Sequence, residues 1–130
     1  MLFRSTLVLL CSDNGPEPGC GTAGPFRGAK TTLYEGGVRS PLIVWGPGIV
    51  AADRAGTTNT ESVLSALDVV PSLAALAGVT LPAEPAGDGE DLAAVLRGTS
   101  RVSRSRPLFW RRPPDRKSWP RHGQIGRAHV

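Results

Sequence analysis

Large side chains are scarce. Aromatics make up only 5% of the 130 residues, and there is a single Met. A chain with so few large core residues leans on turns, and Gly and Pro supply sixteen and twelve positions,. Histidine is nearly absent as well, with only His122 and His129, and the cysteines are Cys11 and Cys20. These cysteines form neither a C-x-x-C pair nor a zinc spacing and have no histidine near them, so they cannot assemble a tetrahedral zinc site. We read them as small residues, Cys11 buried in a strand and Cys20 in a loop. No apolar run is long enough to span a membrane. "MLFRSTLVLL" carries one Arg and a short apolar stretch without a small-residue cleavage site, so it does not read as a signal peptide,.

Acidic residues are missing from one end. Residues 97–130 hold ten of the fifteen Lys and Arg and one of the eleven acids, so that end carries +9 and the remainder −5. The basic run "RVSRSRPLFWRRPPDRKSWPR" has no helical period. It reads as a solvated tail rather than a nucleic-acid-binding face.

What is present alternates strand and helix signals, which says α/β. "STLVLL", Ser5 to Leu10, is a near-continuous apolar run, as in a strand buried on both faces of a parallel sheet,. It stops at Asp13-Asn14-Gly15-Pro16, all turn formers,. "TTLYEGG" reads as a short extended segment closed by Gly36-Gly37, and "PLIVWGPG" as a second buried strand,. Asp68 is placed to cap a helix over Val69 to Ala77, with Pro71 in its first turn, Gly78 behind it, and Leu73, Leu76 and Ala77 as its buried stripe,. A second short helix is expected from about Leu92 to Arg97, stopped by Gly98,.

The chemistry gathers at the end of the first strand, where open α/β sheets bind ligands. Asp13 offers a carboxylate and Asn14 an amide oxygen, hard donors suited to Ca²⁺ or Mg²⁺,. Taken alone, two ligands do not make a site, and the pair reads rather as an Asx turn ending a strand. Lys30 follows at the end of a glycine-rich loop, a point charge for an oxyanion,.

The stretch Leu7 to Val50, with "SDNG", "GAK" and "EGGVRSP" in order, resembles the sulfatase family of the alkaline-phosphatase superfamily. The resemblance continues through "LDVVPSLAALAGVTLP", "GDGEDLAAVLRG" and "RPLFWR". It implies an α/β fold, a partial alkaline-phosphatase-like sandwich with buried strands and flanking helices, incomplete at both ends. It implies that Asp13 and Asn14 are metal ligands, with Ca²⁺ ahead of Mg²⁺, and that Lys30 is a catalytic contact to a sulfate ester. Glu35 and Arg39 read as structural support, as an ion pair. The implied function is sulfuric ester hydrolysis of a sulfated small molecule or carbohydrate, with neither nucleic acid nor membrane as partner, in a periplasmic or secreted protein. Asn14 stands where related phosphoesterases place His, which disfavours the alternative, a phosphoester hydrolase of the same superfamily. A basic nucleic-acid-binding protein is the other alternative, resting on the arginine-rich run alone.

The family's nucleophile, a formylglycine made from Cys/Ser-x-Pro-x-Arg, has no matching motif here. Ser105-Arg106-Pro107 puts Phe109 where Arg is needed, and Ser118-Trp119-Pro120 ends in His122. The expected organisation is therefore the C-terminal part of a catalytic domain over residues 1–110, inactive alone, with its nucleophile in a segment N-terminal to this chain. A basic tail would follow over 111–124. "IGRAHV", Ile125 to Val130, can be encoded by ATC-GGA-AGA-GCA-CAC-GTC and looks like sequencing-adapter read-through over 125–130,.

Overall fold

The computed structural model describes residues 5–82, 87–112 and 124–128. Ser118-Trp119-Pro120 and both histidines lie outside the described residues, as does part of the loop before Gly87. The elements are β1 (Val8–Cys11), α1 (Glu35–Val38), β2 (Leu42–Trp45), α2 (Val69–Leu76), α3 (Ala93–Leu96), β3 (Leu108–Arg112) and β4 (Gln124–Ala128). β1 pairs with β2, and β3 pairs antiparallel with β4 in a register that sets Trp110 opposite Gly126. The result is a small α/β fold with open two-stranded sheets and short helices. Residues of the suspected read-through stretch thus take part in β4. A ladder uses only backbone N–H and C=O groups, so any extended stretch can supply it.

Cover on β1 and β2 is one-sided. β2 alternates half-buried Leu42 and Val44 with exposed Ile43 and Trp45, and Leu10 of β1 is 61% exposed. Cys11, expected inside, is exposed, and both cysteines are free. Two strands cannot cover both faces of a sheet, whatever their hydropathy.

The chain divides into two compact units, one built mainly on Val44–Arg106 and the other on Leu10–Ile43 with β3 and β4. In the first, α2 and α3 end as their glycines predict. The N–H groups of Gly78 and Val79 donate to the carbonyls of Ala75 and Ala74, and those of Gly98 and Thr99 to Val95 and Ala94. Both glycines take positive φ, +70° and +77°, completing Schellman closures,.

Asp68 stands at the N-cap position of α2, as expected, but its side chain makes no cap bond to the helix. The 3₁₀ turn over Ala66–Asp68 that leads into α2 is capped instead by Ser65, and Ser65 and Asp68 form a capping box,. The expected stripe is not the buried one either, since Leu73 and Ala77 are exposed and Leu76 only half-buried, while Asp68 and Ser72 are fully buried. Arg104 is the reason. Its Nη1 donates to Asp68 Oδ1 and Oδ2 at 3.1 and 3.2 Å, its Nη2 to the Asp88 carbonyl at 3.1 Å, and its Nε to the Arg106 carbonyl at 2.8 Å. A polar hub therefore turns this face of α2 inward, together with buried Leu92 and Leu96.

Over Arg101–Arg106 the same contacts correct the reading of the basic run as a solvated tail, while residues 113–121 of that run lie outside the described residues. Arg101 pairs with Glu61, Arg104 with Asp68, and Arg106 with Glu90. These charges are spent within the fold.

Candidate metal and anion site

β1 delivers Ser12, Asp13 and Asn14 into a series of bends at its carboxyl end, as the run of turn formers dictates,. The Ser12 N–H donates to Ser40 Oγ at 2.8 Å, tying the strand end to the residues just before β2. Asp13 is exposed, and Ser12 Oγ donates to its Oδ1 at 3.5 Å. Asn14 is half-buried, and its Nδ2 donates to the Gly15 carbonyl at 3.0 Å. With the amide nitrogen so committed, its oxygen is the atom suited to a cation.

Backbone bonds fold the glycine-rich loop back onto these residues. The Gly15 N–H donates to the Gly37 carbonyl at 2.9 Å, and the Lys30 N–H donates to the Pro16 carbonyl at 2.9 Å. The approach at Gly15 is so close that a Cβ there would collide with the Gly36 carbonyl. Gly36 in turn donates to the Arg27 carbonyl at 2.8 Å, and Gly37 to Tyr34 at 2.8 Å. The bond from Gly37, with those of Val38 to Tyr34 and Arg39 to Glu35, winds Glu35–Val38 into α1, where the sequence suggested an extended segment. Gly36 ties the helix to the loop rather than ending a strand.

Side chains brace the loop. Arg39 Nη2 lies 3.1 Å from Glu35 Oε1, the expected supporting pair, and its guanidinium sits 4.6 Å from the centre of the Phe26 ring. Arg27 stacks 4.1 Å over Tyr34,. Thr31 holds φ at +80°, a strained setting for a β-branched residue, directly after Lys30,.

Lys30 is not solitary. Its Nζ lies 3.0 Å from Glu17 Oε2. The hydrogen bond to Glu17 and that residue's charge raise the Lys30 pKa above its ordinary value, with a smaller contribution in the same sense from Asp13. Glu17 was not singled out from sequence. The signal for it was an acid directly after Pro16, the residue whose carbonyl receives the Lys30 N–H.

Among the described residues no three His, Cys, Asp or Glu converge as a metal cluster. Asp13 and Asn14 offer hard oxygens, which fit Ca²⁺ or Mg²⁺ as part of a shell of about six to eight for calcium. They do not suit a soft metal. Also among the described residues, no helix is long and apolar enough to cross a membrane.

The fold is that of an α/β protein, with the Asp13-Asn14 pair at the carboxyl end of β1 and the Lys30 backbone tied to Pro16 by the glycine-rich loop, the end of a strand where open α/β sheets bind ligands,. Residues 1–79 match the family model described as Sulfatase. The chain is 42% identical over 120 residues to arylsulfatase A of Homo sapiens, covering 88% of this chain and 22% of that protein. It is 39% identical over 115 residues to a sulfatase of Formosa agariphila, covering 86% and 20%. With the steryl-sulfatase of Rattus norvegicus it shares 36% identity over 117 residues, covering 83% and 20%. The chain belongs to the sulfatase family, a family of enzymes. It spans about a fifth of the length of these curated relatives.

Proposed function

We propose that this chain supplies the calcium and anion-contacting part of a sulfuric ester hydrolase. The observation that carries the reading is that Asp13, Asn14 and Lys30 all lie within the residues matching the sulfatase family model, at one end of β1 and the loop folded back onto it. Asp13 and Asn14 would hold Ca²⁺ through a carboxylate and an amide oxygen. When bound, the cation supplies Lewis-acid stabilisation of charge on the sulfate oxygens. Lys30 adds a positive charge on the same group, and the backbone bond to Pro16 fixes where its side chain starts,. The nucleophile is a formylglycine outside this chain, because no Cys/Ser-x-Pro-x-Arg occurs in it. The substrate is a sulfated small molecule or carbohydrate. Relatives named for steryl and N-acetylgalactosamine-6-sulfate chemistry support sulfate esters as the class and leave the alcohol open. Periplasmic or secreted placement follows the family resemblance. The domain reading, a catalytic-domain segment over 1–110 with a basic tail over 111–124 and read-through over 125–130, belongs to the same proposal.

Substitution in the complete enzyme separates the two roles. Asn14→Ala weakens calcium affinity, and excess Ca²⁺ restores activity. Lys30→Ala leaves calcium binding intact and lowers kcat/KM on the order of 100-fold. A Lys30→Ala enzyme within about twofold of wild type overturns the anion-contact role.

A further inference from the structure

We infer that Glu17 is a built-in counter-ion for Lys30, which an incoming sulfate ester must displace, so that it tunes anion affinity at this site. The inference rests on the reading of Lys30 as the anion contact and adds a residue to it.

Geometry makes this pair more than a chance meeting of surface charges. The Lys30 N–H donates to the Pro16 carbonyl at 2.9 Å, so the backbone itself brings the residue after Pro16 alongside Lys30. The Glu17 N-terminal flank is held as well, because the Gly15 N–H donates to the Gly37 carbonyl at 2.9 Å. On its other side, Cys20 N–H donates to the Glu17 carbonyl at 3.1 Å, closing a turn. Glu17 therefore reaches Lys30 from a fixed base, with Oε2 at 3.0 Å from Nζ.

Both side chains remain accessible, at 57% exposure for Glu17 and 46% for Lys30. An exposed pair is weak enough to open, since water and salt screen it. A sulfate ester is an anion with acceptor oxygens, the same chemistry that the Glu17 carboxylate presents to Nζ. The two compete for one ammonium. With Glu17 in place, the unliganded lysine is held near its anion position, and weakly bound anions are discriminated against.

The test uses the complete enzyme, with p-nitrophenyl sulfate as substrate and inorganic sulfate as competing anion. Glu17→Gln keeps the size of the side chain and removes its charge at an exposed position, so folding is preserved. KM for the ester and Ki for inorganic sulfate are expected to fall together by roughly two- to fivefold, the range of an exposed ion pair. Glu17→Asp, too short to span the same contact, shifts both in the same direction. In a Lys30→Ala background Glu17→Gln has no such effect. Unchanged or raised KM and Ki in Glu17→Gln, with Lys30→Ala still impaired, overturn the counter-ion and leave the anion-contact reading standing. Lys30→Ala with unchanged kcat/KM overturns both.

Discussion

Arg104 and Asp68 are thirty-six residues apart in sequence and meet with both side chains almost wholly buried, at 2% and 0% exposure. The carboxylate also accepts the N–H of Ser65 at 2.7 Å and of Glu90 at 2.9 Å. Ser72 extends the hub, donating from Oγ to the Asp68 carbonyl at 2.6 Å and accepting the Leu92 N–H at 2.9 Å. One ion pair thus joins the start of α2, the segment before α3 and the irregular run before β3.

Truncating one partner strands the other charge away from water, which typically costs about 3–5 kcal/mol. Arg104→Met is expected to destabilise by about that much, and Asp68→Ala at least as much, because it also orphans two backbone donors. The double variant should lose less than the sum of the singles. Chemical denaturation of the four proteins in a double-mutant cycle measures this, and strict additivity would contradict the hub.

Glu90 gives the hub an acid limit. The N–H groups of Ser105 and Arg106 donate to its carboxylate at 2.7 and 2.8 Å. These bonds, the Ser105 N–H first, hold its pKa down from 4.5 to about 2. A depressed carboxylate stabilises the fold fully above its unfolded pKa, and that contribution fades as pH falls from about 4.5 towards 2,. Melting temperature should therefore drop more steeply over this window in wild type than in Glu90→Gln. Parallel pH profiles for the two proteins would disprove the assignment.

Gly15 is irreplaceable for steric reasons. A methyl group there meets the Gly36 carbonyl, which is backbone and cannot turn aside. Gly15→Ala should cost more than about 3 kcal/mol, the upper end of ordinary overpacking, and separate the Asp13-Asn14 bend from α1. Limited proteolysis should show new cleavage between Asn14 and Lys30, and wild-type resistance in the variant would refute the argument.

The 130-residue chain by itself is expected to hydrolyse no aryl sulfate, since its sequence contains no formylglycine motif. Turnover of p-nitrophenyl sulfate above a mock preparation would show that the chain carries a nucleophile of its own.

Features settled between near neighbours were legible in the sequence. The apolar run and its turn formers define the end of β1, and with it the place of Asp13 and Asn14. Gly78 and Gly98 end α2 and α3 because only a residue tolerant of positive φ can close those turns cheaply,. Glu35 and Arg39 pair because they are one helical turn apart,. Tertiary structure decided the rest. Asp68 holds the N-cap position its neighbours permit, but its carboxylate makes no cap bond to α2 and goes where its charge is neutralised, and Arg104 comes from thirty-six residues away,. Leu73 and Ala77 had the spacing of a buried stripe, yet which face of a helix turns inward depends on what packs there, and here that is the polar hub. Lys30 could be recognised as a charge, but its partner depended on how the loop closes on Pro16. Local sequence specifies backbone conformation through sterics and caps, whereas pairing across a long loop depends on which distant groups the fold brings within reach.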